Sequence, residues 1–254
     1  MKLFKFEKTK YRTQLILVGI KITFKNHKIK KQDIYDEAFY EGQAKNSYKS
    51  AQEVLKIFSN IYPNVNSVID ICCGAGTWLK VWQETNPDIQ ILGLDVNELP
   101  EDKLFVSRKN IVISDFEIDS SKEYINRKFD LVESLEVAEH LKEENANRYI
   151  ELLCQLGDLI LFSAALPHQT GTNHINEQPP QYWNEKFQAF GFECFDILRS
   201  EIWDNKNISW WYRQNILIFA KNEASNFLKQ QGYNSVKNVN TYYHPELVKM
   251  HMGK

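Results

Sequence analysis

The chain has 254 residues, 43% hydrophobic and 13% aromatic, which is enough for one α/β domain with its own core. Its longest apolar runs, residues 15–20 and 159–166, are far too short to span a membrane, and no secretory leader pattern is present. We therefore expect a cytoplasmic protein without a transmembrane segment. The four cysteines lie in apolar segments without C-x-x-C spacing, which predicts reduced, buried thiols rather than structural zinc or disulfides.

The charge is distributed unevenly along the chain. Residues 1–31 hold ten Lys/Arg and one acidic residue, whereas the rest of the chain holds 21 basic and 32 acidic residues. A basic arm on an acidic body is typical of proteins that touch nucleic acid, an anionic membrane face or a partner protein. Lysines also protect the exposed edge of a hairpin from aggregation, and the sequence leaves both interpretations open.

The first predicted element is a small β-hairpin. The stretch "RTQLILVGIKITFK" alternates around Gly19, and we treat residues 1–32 as a basic N-terminal appendage. A helix is predicted next, since from Ser47 apolar residues recur at helical spacing until the chain reaches Pro63. These apolar positions are Ala51, Val54, Leu55 and Phe58.

Strands and helices then alternate. Predicted strands are "SVIDIC", "QILGLDV", "NIVISDF", "FDLVESL" and "DLILFSAAL", and helices are predicted over residues 77–84, 145–156 and 180–190. Two last strands, "FECFDILRS" and "NILIFAKN", are separated only by a loop, which favours a final antiparallel strand. The pattern predicts a Rossmann-like, doubly wound, mostly parallel seven-stranded sheet over residues 33–222. Residues 223–254 are predicted to form a polar C-terminal tail.

A glycine-rich turn follows the first strand of this domain, in "VIDICCGAGTW". Glycines at a strand tip let the backbone approach a ligand, while the next helix presents its N–H groups. The dinucleotide fingerprint is incomplete, because Leu79 stands where the third glycine belongs, and no Walker lysine follows. Asp70 would be a poor neighbour for a pyrophosphate and suits a cationic ligand.

This segment resembles the first motif of the class I S-adenosylmethionine-dependent methyltransferases. Two further marks are in register: "ILGLDV" ends in Asp95, which in that family bonds the ribose, and "VISDFE" places Asp115 and Phe116 at the adenine. The resemblance covers roughly residues 47–220 and implies S-adenosylmethionine as the cofactor. The binding residues that it implies are Asp70, Cys72, Gly74, Gly76, Thr77, Asp95, Val96, Asp115, Phe116 and Leu135.

Polar residues directly follow the fourth and fifth strands of the domain. Glu136, Glu139 and His140 have the spacing E-x-x-E-H, and they converge on one point if this segment turns helically. A polar loop after the fifth strand carries His168 and His174. Solvated surface, a general base with an orienting acid, and ligands for a divalent cation are all compatible with this pattern.

The pattern resembles the metal constellation of two groups, the ubiquinone-biosynthesis O-methyltransferases and the small-RNA 3′-terminal 2′-O-methyltransferases. The resemblance implies that Glu136, Glu139, His140 and His174 hold a divalent cation, Mg²⁺ or Mn²⁺, which polarises a hydroxyl group of the acceptor. A cation can lower the pKa of coordinated water from about 15.7 to about 7. Without a metal, His140 or His174 would act as a general base. His168 is a third candidate catalytic histidine, without a counterpart in either group.

The acceptor is the least determined part of the prediction. The basic hairpin resembles leaders of bacterial capsule and lipopolysaccharide biosynthesis enzymes, which favours O-methylation of a sugar, either nucleotide-activated or in a surface polysaccharide. Arg199 and Arg213 would then be available to a diphosphate. RNA 2′-O-methylation is the second hypothesis, although the acidic body opposes nucleic-acid binding. Quinone or catechol O-methylation and a non-catalytic cofactor-binding module are further alternatives, and no oligomeric state is predicted.

Aromatic residues before the first strand of the domain and between its last two strands are candidates for the mouth of the cleft. Trp203, Trp210, Trp211 and Tyr212 lie between the last two predicted strands, and they suit either stacking on a ligand or packing under the loop. Tyr40 and Tyr48 precede the first strand, where related enzymes carry a cofactor lid.

Overall fold

The computed structural model describes residues 4–8, 12–17, 20–25, 37–114 and 127–252. The chain divides into two compact units, residues 1–37 and 38–254. In the first unit, β1 (Phe4–Lys8), β2 (Arg12–Leu17) and β3 (Ile20–Lys25) form an antiparallel sheet in that order. The pairing of β2 with β3 confirms the predicted hairpin, to which β1 adds a strand that the sequence analysis missed.

The second unit is built on a seven-stranded sheet. Its strands are β4 (Ser67–Ile71), β5 (Gln90–Asp95), β6 (Ile111–Ile113), β7 (Leu131–Leu135), β8 (Leu159–Ser163), β9 (Glu193–Phe195) and β10 (Leu217–Ala220). Their spatial order is β6-β5-β4-β7-β8-β10-β9. The pairs from β6 to β8 are parallel, and β10 is antiparallel to both neighbours. The predicted fold, with its closing antiparallel strand, is confirmed.

Helices cover both faces of this sheet. They are α1 (Glu37–Ile61), α2 (Thr77–Thr85), α3 (Ala146–Leu156), α4 (Pro180–Ala189), α5 (Leu198–Ile202), α6 (Trp210–Asn215), α7 (Asn222–Gln230) and α8 (Pro245–Met252). Successive strand side chains point to opposite faces, so Val68 packs in a core with α1 and α2, and Ile69 packs in a core with α3 and α4. No helix within the described ranges is long and apolar enough to cross a membrane.

The segment between β9 and β10 differs from the prediction. A strand was expected through "FECFDILRS" and a simple loop after it, but the strand ends at Phe195 and the chain forms α5 and α6. Leu198 and Ile202 are spaced one helical turn apart, and both are fully buried in the core. Both side chains therefore lie on one face of α5, which packs them into the core.

The C-terminal residues belong to the same compact unit as the sheet. Leu228, Val239 and Leu247 are buried, and Val236 pairs with Cys194 in an isolated bridge beside β9. The segment "PELVKM" lies in α8, and α7 precedes it. Residues 223–254 were expected to form a polar tail, but the described part of this segment contributes apolar side chains to the core.

Candidate functional site

The loop after β4 has a backbone that only certain residues adopt easily. Cys72, Gly74 and Gly76 have φ angles of 61°, 55° and 76°, in the left-handed region. A side chain at Gly74 would enter open space, with no atom within 4 Å, whereas one at Gly76 would lie 2.7 Å from the Cγ2 of Val106. Gly74 therefore leaves room for a ligand above the loop, and Gly76 allows close packing beneath it.

Asp95, the last residue of β5, holds this loop in place. Its Oδ2 accepts a hydrogen bond from the backbone N–H of Gly74 at 2.8 Å, and its Oδ1 accepts one from Asn97 at 2.8 Å. Each carboxylate oxygen has a second lone pair, so the same group can also accept bonds from a ligand. The half-buried Val96 follows directly and packs toward the core containing α3.

Two buried carboxyl groups lie beside each other on adjacent strands. Asp70 is 4% exposed and is the register partner of Glu133, which is fully buried and accepts a 2.8 Å bond from Trp82 Nε1. Burial raises the pKa of Asp70 well above its ordinary value, and repulsion from Glu133 and Asp95 raises it further. The positive charge of a sulfonium would oppose this shift, so the cationic ligand that the sequence favours for Asp70 stays a prediction.

The remaining predicted cofactor residues lie along the same edge of the sheet. Thr77 begins α2, and its Oγ1 lies 2.8 Å from the Oγ of Ser47 on α1. Cys72 and Leu135 are half-buried, in the loop after β4 and at the end of β7. The carboxyl ends of parallel strands border the ligand crevice in this class of fold. Asp115 and Phe116 lie outside the described residues.

The E-x-x-E-H segment forms one turn of 3₁₀ helix at Ala138–His140. The carbonyl of Glu139 accepts hydrogen bonds from the N–H groups of Ile175 at 2.9 Å and Asn176 at 3.0 Å, which fix the loop after β8 against this turn. As a result, ligand atoms of Glu139, His140 and His174 all lie within 4.8 Å of one another. Residues from two separate loops thus form one cluster.

Glu139 is the most unusual member of the cluster. It is fully buried, yet within the described parts of the chain neither carboxylate oxygen has a hydrogen-bond partner of good geometry. Burial raises its pKa well above the ordinary value and the charge of Glu136 adds to this, although backbone N–H groups of Glu139 itself and Ala165 oppose the shift. A buried, unpartnered carboxylate is costly unless a positive charge compensates it, and a bound cation would do so.

Each histidine of the cluster is oriented by a hydrogen-bond acceptor that lies beside its Nδ1 atom. His140 Nδ1 lies 3.3 Å from the carbonyl of Asn173, and His174 Nδ1 lies 2.9 Å from Glu177 Oε1. Donation from Nδ1 leaves Nε2 as the nitrogen with a lone pair, the arrangement typical of metal-binding histidines. The His174 ring also lies against Gly171, where a Cβ would be 2.3 Å from its Nε2. The donor set fits Mg²⁺, Mn²⁺ or Fe²⁺.

Two predicted residues are directed elsewhere. The carboxylate of Glu136 accepts hydrogen bonds from Asn215 Nδ2 and Gln169 Nε2 and is not among the clustered ligand atoms. His168 is exposed, and its carbonyl accepts a 2.7 Å bond from His251 Nε2. Three of the four residues predicted to bind metal are therefore close together. The amides around Glu136 were missed, because they come from separate elements without a spacing that marks them.

Several residues that were expected to contact a ligand instead pack against other parts of the protein or form salt bridges and hydrogen bonds within it. Arg199 and Arg213 are 2% and 3% exposed and form salt bridges with Asp196 and Glu246, so the expectation that they bind a diphosphate is wrong. Tyr212 is buried edge-on against Trp78, and Trp203 packs on His244. The Tyr48 hydroxyl donates to Glu84 at 2.6 Å, and the side chain of Tyr40 lies outside the described part of the molecule.

Residues 40–160 match the sequence model of a family described as a methyltransferase domain. The matched segment, slightly less than half of the chain, is thus similar in sequence to a methyltransferase domain. It contains the loop after β4, Asp95 at the end of β5 and the E-x-x-E-H segment, and it ends within β8. No curated protein matches the chain in sequence.

Solved structures of several methyltransferases share the fold. The plantazolicin methyltransferase BpumL, in a complex with SAH, is 15% identical with a TM-score of 0.52, covering 77% of this chain and 91% of its own. A SAM-dependent methyltransferase from Archaeoglobus fulgidus is 21% identical with a TM-score of 0.51, covering 74% and 100%. The sugar N-methyltransferase KedS8 from Streptoalloteichus is 14% identical with a TM-score of 0.54, covering 74% and 92%. At these identities the likeness concerns the fold.

Proposed function

We propose that this protein is an S-adenosylmethionine-dependent O-methyltransferase that binds a divalent cation and methylates a hydroxyl group of a sugar. The observation that carries the proposal is the buried, unpartnered carboxylate of Glu139 beside His140 and His174. This cluster lies in loops that follow β7 and β8, at the same edge of the sheet as the loop after β4 and Asp95.

The loop after β4 supports the choice of cofactor. The open space at Gly74 allows a ligand to approach the backbone. Asp95 holds the loop through its bond to the N–H of Gly74, and its carboxylate is a group that accepts hydrogen bonds from ribose hydroxyls. S-adenosylmethionine supplies a methyl group on a positively charged sulfur that is already activated for transfer. The neighbour BpumL was crystallised with SAH, which agrees with the same cofactor here.

The cluster of Glu139, His140 and His174 supports a metal-assisted reaction. A divalent cation lowers the pKa of a hydroxyl group that coordinates to it. Glu139 would supply a negative charge that burial makes costly in the metal-free protein, and Glu177 and Asn173 would keep both imidazoles oriented toward the ion. The protein's remaining task is to align acceptor and donor and to exclude water.

A sugar is the acceptor that we favour. A cation bound by Glu139, His140 and His174 would suit adjacent acceptor oxygens such as a vicinal diol, and the fold neighbour KedS8 is described as a sugar N-methyltransferase. RNA is the less favourable acceptor, because 32 acidic residues against 21 basic ones after residue 31 oppose binding to phosphates. Arg199 and Arg213 are buried in salt bridges, so a nucleotide diphosphate would need other contacts.

Methyl transfer from labelled S-adenosylmethionine to separate pools of nucleoside-diphosphate sugars, total RNA and catechols tests this proposal. We expect transfer to the sugars, loss of transfer after exhaustive chelation, and recovery with Mn²⁺ or Mg²⁺. Glu139→Gln should lower turnover on the order of 100-fold, as expected for a lost metal ligand. It should not lower the thermal midpoint, because a neutral amide replaces a buried acid.

The matched control is Glu151→Gln, the same change at an exposed position on α3. It should transfer methyl groups as the wild type does. Full activity after chelation would overturn the metal and leave His140 or His174 as a general base. Transfer to RNA or catechols instead of sugars would overturn the acceptor, and absence of transfer to every pool would overturn the enzymatic proposal.

A further inference from the structure

A network of buried side-chain amides lies behind Glu136, and backbone groups fix its orientation. Gln214 Oε1 accepts the backbone N–H of His244 at 2.7 Å. Because an N–H group can only donate, the other end of the Gln214 amide must be the NH₂ group. This Nε2 donates to Gln169 Oε1 at 3.1 Å and to Asn215 Oδ1 at 3.1 Å.

The next two amides are oriented by the same reasoning. Gln169 Oε1 also accepts the backbone N–H of Leu166 at 3.3 Å and Asn215 Nδ2 at 2.9 Å. The oxygens of both amides are therefore occupied within the network, and both NH₂ groups face Glu136. Gln169 Nε2 donates to Glu136 Oε2 at 2.9 Å, and Asn215 Nδ2 donates to Oε1 at 3.0 Å and to Oε2 at 3.3 Å.

The network thus ends on the carboxylate of Glu136, which can accept more hydrogen bonds than the network donates to it. A carboxylate has about four lone-pair sites. Asn215 and Gln169 supply two donors. Burial raises the pKa of Glu136, and hydrogen bonds from Asn215, Ser163 and Gln169 oppose this shift by stabilising the charged form. Glu136 is half-buried, whereas Gln169, Gln214 and Asn215 are buried, so Glu136 is the member of the network that a ligand can reach.

The backbone of Glu136 is also held in an uncommon conformation. Its φ angle is 56°, and its N–H donates to the carbonyl of Ser163 at 3.0 Å. Left-handed backbone at a residue other than glycine is energetically unfavourable and persists where surrounding contacts enforce it, often at ligand sites. The residue directly follows β7, at the carboxyl edge of the sheet, where this class of fold binds its ligands.

We propose that Glu136 binds a hydroxyl group of the methyl acceptor, and that Asn215 and Gln169 position its carboxylate for this contact. The inference rests on the proposed function and names a polyhydroxylated acceptor as the class of substrate. A hydroxyl group can donate a hydrogen bond to the remaining lone pair of the Glu136 carboxylate. A sugar offers such hydroxyl groups besides the one that is methylated. Glu136 then contributes substrate recognition, and the cation is held by Glu139, His140 and His174.

Two measurements on the full-length protein test the assignment. The first is the Mn²⁺ affinity of Glu136→Gln and Glu139→Gln by electron paramagnetic resonance. We expect Glu136→Gln to stay within about twofold of the wild type and Glu139→Gln to lose at least about tenfold. The second is steady-state methyl transfer to a pool of nucleoside-diphosphate sugars, where Glu136→Gln should raise the KM at least about tenfold, as for a lost bond to a charged group.

A second variant, Asn215→Leu, tests positioning without touching the carboxylate. It should raise the KM more than it lowers kcat and leave Mn²⁺ and SAH affinities unchanged, a pattern that a general loss of folding would not produce. Glu185→Gln, at an exposed position on α4, is the matched control and should behave as the wild type.

The outcomes separate this inference from the proposed function. A Mn²⁺ affinity that falls as far in Glu136→Gln as in Glu139→Gln would make Glu136 a metal ligand and overturn the inference alone. An unchanged KM in Glu136→Gln and Asn215→Leu would overturn it as well. Failure of the wild type to methylate any sugar would overturn the proposed function and, with it, the assignment of Glu136.

Discussion

Glu133 shows how strongly the interior of this protein acts on a single charge. Its side chain is fully buried on β7, beside Asp70 on β4, and one carboxylate oxygen accepts a bond from Trp82 Nε1. The other, Oε2, has no hydrogen-bond partner among the described residues. Burial raises the pKa of Glu133 from 4.5 to about 8, and the bond from Trp82 only partly offsets this shift.

This raised pKa predicts a pH-dependent stability. Between about pH 4.5 and pH 8 the folded protein holds a proton on Glu133 that the unfolded chain releases, so stability falls as the pH rises through this range. Glu133→Gln removes the titrating group and should reduce that loss, by on the order of 2–4 kcal/mol between pH 5 and pH 9. Urea denaturation of both proteins at several pH values measures this change in the free energy of unfolding.

Glu151→Gln, at the exposed position on α3, provides the comparison and should follow the wild-type pH dependence. If Glu133→Gln and the wild type lost stability equally between pH 5 and pH 9, Glu133 would not hold a proton in the folded state.

At the scale of elements, α8 is joined to α6 through a buried charge. The guanidinium of Arg213 on α6 is 3% exposed, donates to the carbonyl of Trp203 at 3.0 Å and forms a salt bridge with Glu246 on α8. His244, just before α8, accepts the N–H of Glu246 at 3.2 Å on its Nδ1. These contacts hold the C-terminal segment against the segment between β9 and β10.

Removal of the acidic partner should loosen this attachment. Glu246→Ala leaves a buried guanidinium without its carboxylate, a change that costs 3–5 kcal/mol for fully buried pairs. Because the Glu246 side chain is 46% exposed, we expect a smaller loss, about 1–3 kcal/mol of unfolding free energy, measured by chemical denaturation. Lys249→Ala on the same helix, at an exposed position, should be neutral within about 0.5 kcal/mol. Equal stability of both variants would show that the pair does not hold α8.

The sequence predicts those elements whose pattern repeats over several residues. Apolar runs marked the strands β4, β5, β7 and β8, and the helical spacing of Ala51, Val54, Leu55 and Phe58 marked α1. The short helix α5 was read as strand, because five residues with apolar ends fit either pattern and only their burial against the core decides. The few buried side chains after residue 222 gave no periodic signal strong enough to reveal their packing.

For the whole molecule, strand order explains why separate motifs meet. Asp95 and Glu136 are far apart in sequence, yet β5, β4 and β7 are adjacent and parallel, so their carboxyl ends share one edge. The sequence could therefore predict the glycine-rich loop after β4 and the meeting of Glu139, His140 and His174. It could not predict that Asn215 and Gln169 bind Glu136, because that contact depends on α6 and the loop after β8 lying side by side.

We propose that this edge of the sheet binds S-adenosylmethionine or its product. Calorimetric titration of the full-length protein with SAH tests it most directly, with Asp95→Ala and Glu139→Gln measured in parallel. We predict that one SAH binds per chain. The affinity should be at least about tenfold weaker in Asp95→Ala, because the loss of a charged hydrogen-bond acceptor releases the N–H of Gly74. The affinity of Glu139→Gln for SAH should be unchanged. Absence of binding to the wild type, or equal affinity in Asp95→Ala, would contradict the account.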